Sequence, residues 1–201
     1  MADYSDKEYQ REKYKEDSKL GESYNQQVND VILPRIFEGT GCKIIKLEIA
    51  SGFEDLNNVT DFILIYDGAD GQTRKIGIAF RVWSMPEIFS IRAKRPYEKT
   101  ELPKLREGKG PPLFLFGWPP ERGKPIAKWA LLEIAYLRSS GLLDNPVIKE
   151  NYKKKRGHNG IKPEDYELNQ DGKRIPDGTS RAEILMEDLR IKDCVLKEGK
   201  C

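Results

Sequence analysis

The chain has 201 residues and a mass of 23.1 kDa, enough for one domain of ~150 residues with extensions. Its 35 Lys and Arg against 33 Asp and Glu leave a net charge of +2, with 34% of residues charged and 38% hydrophobic. One histidine and three cysteines exclude a His-rich zinc site, leave little room for Ser-His-Asp or Cys-His catalysis, and fall short of the four thiolates of an iron–sulfur cluster. No apolar run of ~18 residues occurs, so no membrane span is expected, and a segment charged from Asp3 onward is no signal peptide. Cys42, Cys194 and Cys201 are odd in number and widely spaced, unlike a secreted disulfide framework, which makes the cytoplasm the expected compartment.

Residues 1–20 mix acids and bases, with Tyr4, Tyr9 and Tyr14 as the only large apolar groups before Leu20; they read as a solvated arm. Tyr24, Val28, Val31, Ile32 and Ile36 then fall at helical spacing, so Glu22–Ile36 is predicted as an amphipathic helix perturbed near its end by Pro34. Lys43–Ala50 reads as a strand with Ile45, Leu47 and Ile49 on one face. Asp61–Tyr66 is a short apolar run suited to a buried strand, Asp67–Gly71 is turn chemistry, and Ile76–Trp83 completes a hairpin. Phe89–Lys94 and Leu113–Trp118 are further strands. Ile126–Arg138, after Pro125 and before Gly141, is predicted as a buried helix. Residues 149–178 are polar and read as loop-rich, and Ser180 with Glu183 fits a capping box opening a last helix, Arg181–Lys197. The element order gives an α/β chain with a central mixed sheet flanked by helices. Its divisions are an arm (1–20), a core (21–146), and a basic, loop-rich C-terminal extension (147–201).

The residues that carry chemistry lie between Lys19 and Arg81. Along Ile76–Trp83 the side chains of Gly77, Ala79, Arg81 and Trp83 point opposite to those of Ile76, Ile78, Phe80 and Val82. Arg81 therefore shares a face with Asp61 if the hairpin register permits. Glu22 sits at a helix start, where the macrodipole alone favours a carboxylate. Asp61 heads the apolar Phe62–Tyr66, and a charge at a strand entrance has less structural excuse.

Lys19-Leu20-Gly21-Glu22-Ser23, Ala50-Ser51-Gly52, Thr60-Asp61-Phe62-Ile63-Leu64 and Ile78-Ala79-Phe80-Arg81-Val82 follow one another in the order of a known set of motifs. Over residues 19–95 the chain resembles the PD-(D/E)XK nuclease superfamily, and within it the archaeal Holliday-junction resolvases. The resemblance implies a restriction-endonuclease-like core and hydrolysis of DNA phosphodiester bonds, with branched, junction-like DNA as substrate. It also implies Mg²⁺ or Mn²⁺ as cofactor and a homodimer as the working form. Glu22 and Asp61 would bind the metal, and Arg81 would stabilise transition-state charge. The third motif departs from the pattern: Ala79 stands where a metal-binding carboxylate is expected and Arg81 where the family has Lys. Glu48 is a further candidate ligand, with Glu54 and Asp55 on the loop before Asp61. Arg92, Lys94 and Arg95, and Lys153, Lys154, Lys155 and Arg156, are candidate nucleic-acid contacts, which bind phosphate without reading sequence. The alternative is a relative whose site is eroded at Ala79 and which binds DNA or a protein partner without cleaving. A third reading is a structural or regulatory protein whose acidic–basic arm and C-terminal helix mediate assembly.

Overall fold

Helix α1 runs through residues 19–37 of a computed structural model that describes residues 19–50, 60–84, 87–95, 100–155 and 163–201. Tyr24, Val28, Ile32 and Ile36 recur every fourth residue and are all buried, the stripe expected of a helix laid on a sheet. Pro34 leaves its mark one turn earlier. It has no N–H for the carbonyl of Asp30 and its ring crowds that group, and Val28–Ile32 widens into a π-turn in which Leu33 N–H donates to the Val28 carbonyl.

Strands β1 (Lys43–Ile49), β2 (Phe62–Asp67) and β3 (Thr73–Val82) form an antiparallel meander. The expected Ile45-Leu47-Ile49 face does not form. A register shift between Ile44 and Lys46 turns Ile44 and Leu47 toward α1 and leaves Ile45 and Ile49 exposed, as a bulge does. From β3 the chain leaves the sheet, makes strand β4 (Ile88–Lys94) and helix α2 (Glu101–Arg106), and returns as β5 (Leu113–Trp118), parallel to β3. Strands β6 (Lys128–Glu133) and β9 (Val195–Lys200) complete a six-stranded sheet in the order β1-β2-β3-β5-β6-β9. The central mixed sheet of an α/β chain is thus present.

A second, three-stranded antiparallel sheet has the order β4-β8-β7, with β7 spanning Val147–Tyr152 and β8 Pro176–Leu185. It covers the face of the central sheet opposite α1. Along β5 and β6 the side chains alternate between the two interiors. Leu115, Trp129 and Leu131 join the α1 cluster. Phe114, Phe116, Trp118, Ala130 and Leu132 join Phe89, Ile91, Ala182 and Ile184 of the second sheet, beside α2 and helix α3 (Ile134–Ser139).

Three expectations are corrected by this packing. Residues 126–138 are a strand and a short helix, β6 then α3. A strand covered on both faces is apolar on both, so its composition resembles a buried helix. Ser180 and Glu183 cap nothing: both lie on β8, pairing with Lys94 and Ser90, and the last helix α4 is only Met186–Ile191. Residues 147–201 do not stand beside the core, because β8 and β9 pair with β4 and β6 and supply strands to both sheets. No helix among the described residues is long and apolar enough to cross a membrane.

Phe116 is fully buried between the sheets, with ring centroids 4.9 Å from Phe89, 5.5 Å from Phe114 and 5.8 Å from Trp118. Phe116→Ala is expected to lower unfolding free energy in a denaturant titration by ~3–5 kcal/mol. The exposed Tyr136→Ala should change it by less than ~0.5 kcal/mol; similar losses at both positions would contradict the packing described.

Candidate active site

Asp61 lies one residue before β2, where its carbonyl accepts from Ala50 N–H (2.8 Å) and its N–H donates to the Ile78 carbonyl (3.0 Å). That pairing sets the carboxylate beside β3. Asp61 Oδ2 accepts from Phe80 N–H at 2.7 Å and from Arg81 Nη1 at 2.6 Å. The expected register is therefore realised: Arg81 reaches Asp61, and the same Nη1 donates to the Phe80 carbonyl at 2.6 Å.

The rest of the guanidinium is taken by Glu101, which the sequence reading did not single out. Arg81 Nε donates to Glu101 Oε1 at 3.0 Å and Nη2 donates to the same oxygen. Glu101 Oε2 accepts from Arg92 N–H at 2.8 Å, on the edge of β4 that no other strand among the described residues covers. The Glu101 side chain is 7% exposed and that of Arg81 28%. A signal for Glu101 was available: Thr-Glu-Leu-Pro with Leu102 and Leu105 three apart is a helix-start pattern, and a crossover between parallel strands needs such an element.

Three charges in one part-buried cluster, two negative and one positive, leave an excess of one negative charge. Burial pushes the Asp61 carboxyl above the ordinary value of 3.8, and the opposing pull of Arg81 and the Phe80 N–H does not cancel it, while Glu101 adds repulsion. Burial works against the Arg81 charge, but Glu101 and Asp61 outweigh it and hold that pKa above its usual value. The cluster opens on a cavity of about 450 Å³ walled by Tyr24 and Asn25 of α1, Ala50, Phe80 and Arg122. Gln27 fixes the α1 wall, its amide donating to the Ile126 carbonyl (2.9 Å) and accepting from Ile126 N–H (2.8 Å).

The other candidates lie apart. Glu22 is exposed on α1, and it is Leu20, Gly21, Tyr24 and Asn25 of that helix that line the cavity. Glu48 pairs with Lys46 at 2.9 Å, and that bond lowers its pKa. Ala79 is completely buried under the second sheet, so the position expected to hold a carboxylate is an apolar contact. Arg92 and Lys94 are exposed on β4, Arg95 directly after it, and Lys153, Lys154 and Lys155 follow β7. Both basic clusters thus sit on the two outer strands of the second sheet. Glu54, Asp55 and Arg156 lie outside the described residues. Among the described residues no group of three or more His, Cys, Asp or Glu is arranged to hold a metal ion.

Glu101→Ala would leave the Arg92 N–H and half of the Arg81 guanidinium buried without partners, an expected loss of ~2–4 kcal/mol, read as a Tm fall of roughly 5–10 °C. Asp61→Asn behaves differently. Because Asp61 holds its proton more tightly folded than unfolded, its charged form opposes folding, increasingly so as pH rises from 3.8 through its folded pKa. The Tm of Asp61→Asn relative to wild type should therefore climb over that range; a relative Tm that falls would mean that Asp61 is an ordinary stabilising ion pair. No protein-family model, curated protein or solved structure matches the chain.

Proposed function

We propose that this protein is a restriction-endonuclease-like, metal-dependent nuclease that hydrolyses phosphodiester bonds in DNA, branched DNA above all, and acts as a homodimer. The carrying observation is the part-buried Asp61–Arg81–Glu101 cluster, with its excess negative charge and raised Asp61 pKa, opening on a cavity at the ends of β2 and β3. Charge held against stability in a cleft marks a site kept for chemistry. The topology supports the reading. A helix, an antiparallel meander, a crossover and a strand parallel to β3 carry an Asp at the head of the second strand and a cation on the third.

Magnesium is commonly held by one or two carboxylates together with waters and substrate phosphate. The donor set here fits a single hydrated Mg²⁺ or Mn²⁺ and not a pair. Asp61 would bind it, since Oδ2 carries both bonds that the carboxylate makes among the described residues and Oδ1 makes none. Both Glu101 oxygens are engaged. Such an ion would supply positive charge to a bound phosphate and acidify a water. Arg81 stays protonated and acts as a positioning residue: held by Glu101, it fixes the orientation of Asp61. Arg92, Lys94 and Arg95 are the phosphate contacts nearest in sequence to this cluster.

A second reading, a non-cleaving DNA-binding relative, is favoured by two observations: the guanidinium of Arg81 is spent on two carboxylates, and Ala79 is buried apolar surface. Cleavage assays on junction, flap, linear and single-stranded DNA separate the two. The nuclease reading expects cutting with Mg²⁺ or Mn²⁺ that EDTA abolishes and that Asp61→Asn reduces roughly 100-fold or more. Salt-dependent binding without cutting of any substrate would leave the non-cleaving reading standing.

A further inference from the structure

The second sheet carries a feature that neither the ion cluster nor the core explains. Arg92 of β4 lies opposite Arg181 of β8, and Arg181 lies opposite Lys149 of β7. Three cations thus form one row across the whole sheet, with strands ~4.8 Å apart. The neighbouring row, Ile91–Ala182–Ile148, places Ile91 and Ala182 in the core, so the cationic row faces away from it. Like charges directly opposite across strands are destabilising. Arg181 alone of the three pairs with a carboxylate among the described residues, Glu183 at 2.5 Å.

The row ends in a groove of about 820 Å³ on the β7 side, lined by Lys149, Lys154, Arg174 and Arg181 with Tyr152 and Tyr166. Its carboxylates are Glu150 and Asp177, so the lining is net positive. Cations and aromatic rings alternate. The Arg174 guanidinium lies 4.3 Å over the Tyr166 ring and 6.0 Å from that of Tyr152, the two rings stand edge to face at 6.2 Å, and Arg181 lies 5.1 Å from the Trp83 ring. Arg174 is exposed and both tyrosines are half-buried, so planar groups edge the groove. A plain polyanion needs only the cations. Flat rings and a flat guanidinium between them suit a chain whose charges alternate with planar groups.

We infer that the outer face of the second sheet, from Arg92 across Arg181 and Lys149 into the Tyr152–Tyr166–Arg174 groove, binds single-stranded nucleic acid. Phosphates lie along the cationic row and bases stack in the groove. This site deepens the proposed function by naming an unpaired strand as the segment that it holds, yet it uses none of the Asp61 cluster's side chains and does not require cleavage.

Fluorescence anisotropy of the full chain tests it with labelled dT15, a duplex of equal length, an abasic deoxyribose-phosphate oligomer and polyglutamate. The dT15 strand should bind most tightly, with affinity falling as salt rises. The double variant Lys149→Glu, Arg174→Ala, at two exposed positions, should weaken dT15 binding by roughly tenfold or more with an unchanged Tm. Arg174→Lys should keep the salt slope but lose affinity for dT15, not for the abasic oligomer. Unchanged dT15 binding by the double variant overturns the site, and abasic oligomer bound as tightly as dT15 overturns the stacking. Duplex or polyglutamate bound as tightly as dT15 overturns the ligand class. Tight dT15 binding by a wild-type protein that cuts nothing would remove the nuclease reading and leave this one intact.

Discussion

Arg81 joins, through one part-buried ion cluster, elements that also meet in the apolar core between the sheets. Its guanidinium reaches Asp61 at the head of β2 and Glu101 at the start of α2, and Glu101 in turn holds the open edge of β4 through the Arg92 N–H. One side chain therefore ties the meander of the central sheet to the crossover helix and to the second sheet. The planar fork of Arg suits this task, since it donates in several fixed directions at once and keeps its charge when buried. A lysine, with one point charge, would not hold two carboxylates in this way.

The same arrangement has an electrostatic consequence. Two carboxylates flank one cation, so repulsion from Glu101 offsets part of the pull that Arg81 exerts on Asp61, and burial dominates its pKa. The cluster carries one excess negative charge, and the cavity that it opens on is also lined by Arg122. Around it, Gln27 joins α1 to the segment before β6, and Ala79 is buried in the apolar cluster under the second sheet.

The hairpin and its charged pair were legible in the sequence because they depend on local rules. Asp67–Gly71 is turn chemistry, the β2–β3 register follows from it, and strict alternation then puts Arg81 on the side of Asp61. Helix α1 was legible for the same reason, from a four-residue repeat. What was not legible depends on long-range covering. Residues 126–133 look helical because both faces of β6 are buried, and nothing local says that a second sheet will cover one of them. That sheet is assembled from segments beginning at Ile88, Val147 and Pro176, and on its middle strand Ser180 and Glu183 fall at the spacing of a helix cap. Glu101 escaped because a carboxylate at a helix start is usually solvated; only the edge of β4 and the side chain of Arg81 make it a buried link.

The account depends on Asp61 being a carboxylate whose charge the fold opposes and whose cation is shared. A ¹³C NMR titration of the Asp61 side chain in the full-length protein tests this most directly. The account predicts a pKa above the ordinary value of 3.8 in wild type, and a lower one in Glu101→Gln, where Arg81 is no longer divided between two charges. A wild-type pKa below 3.8, or one that Glu101→Gln leaves unchanged, would contradict it.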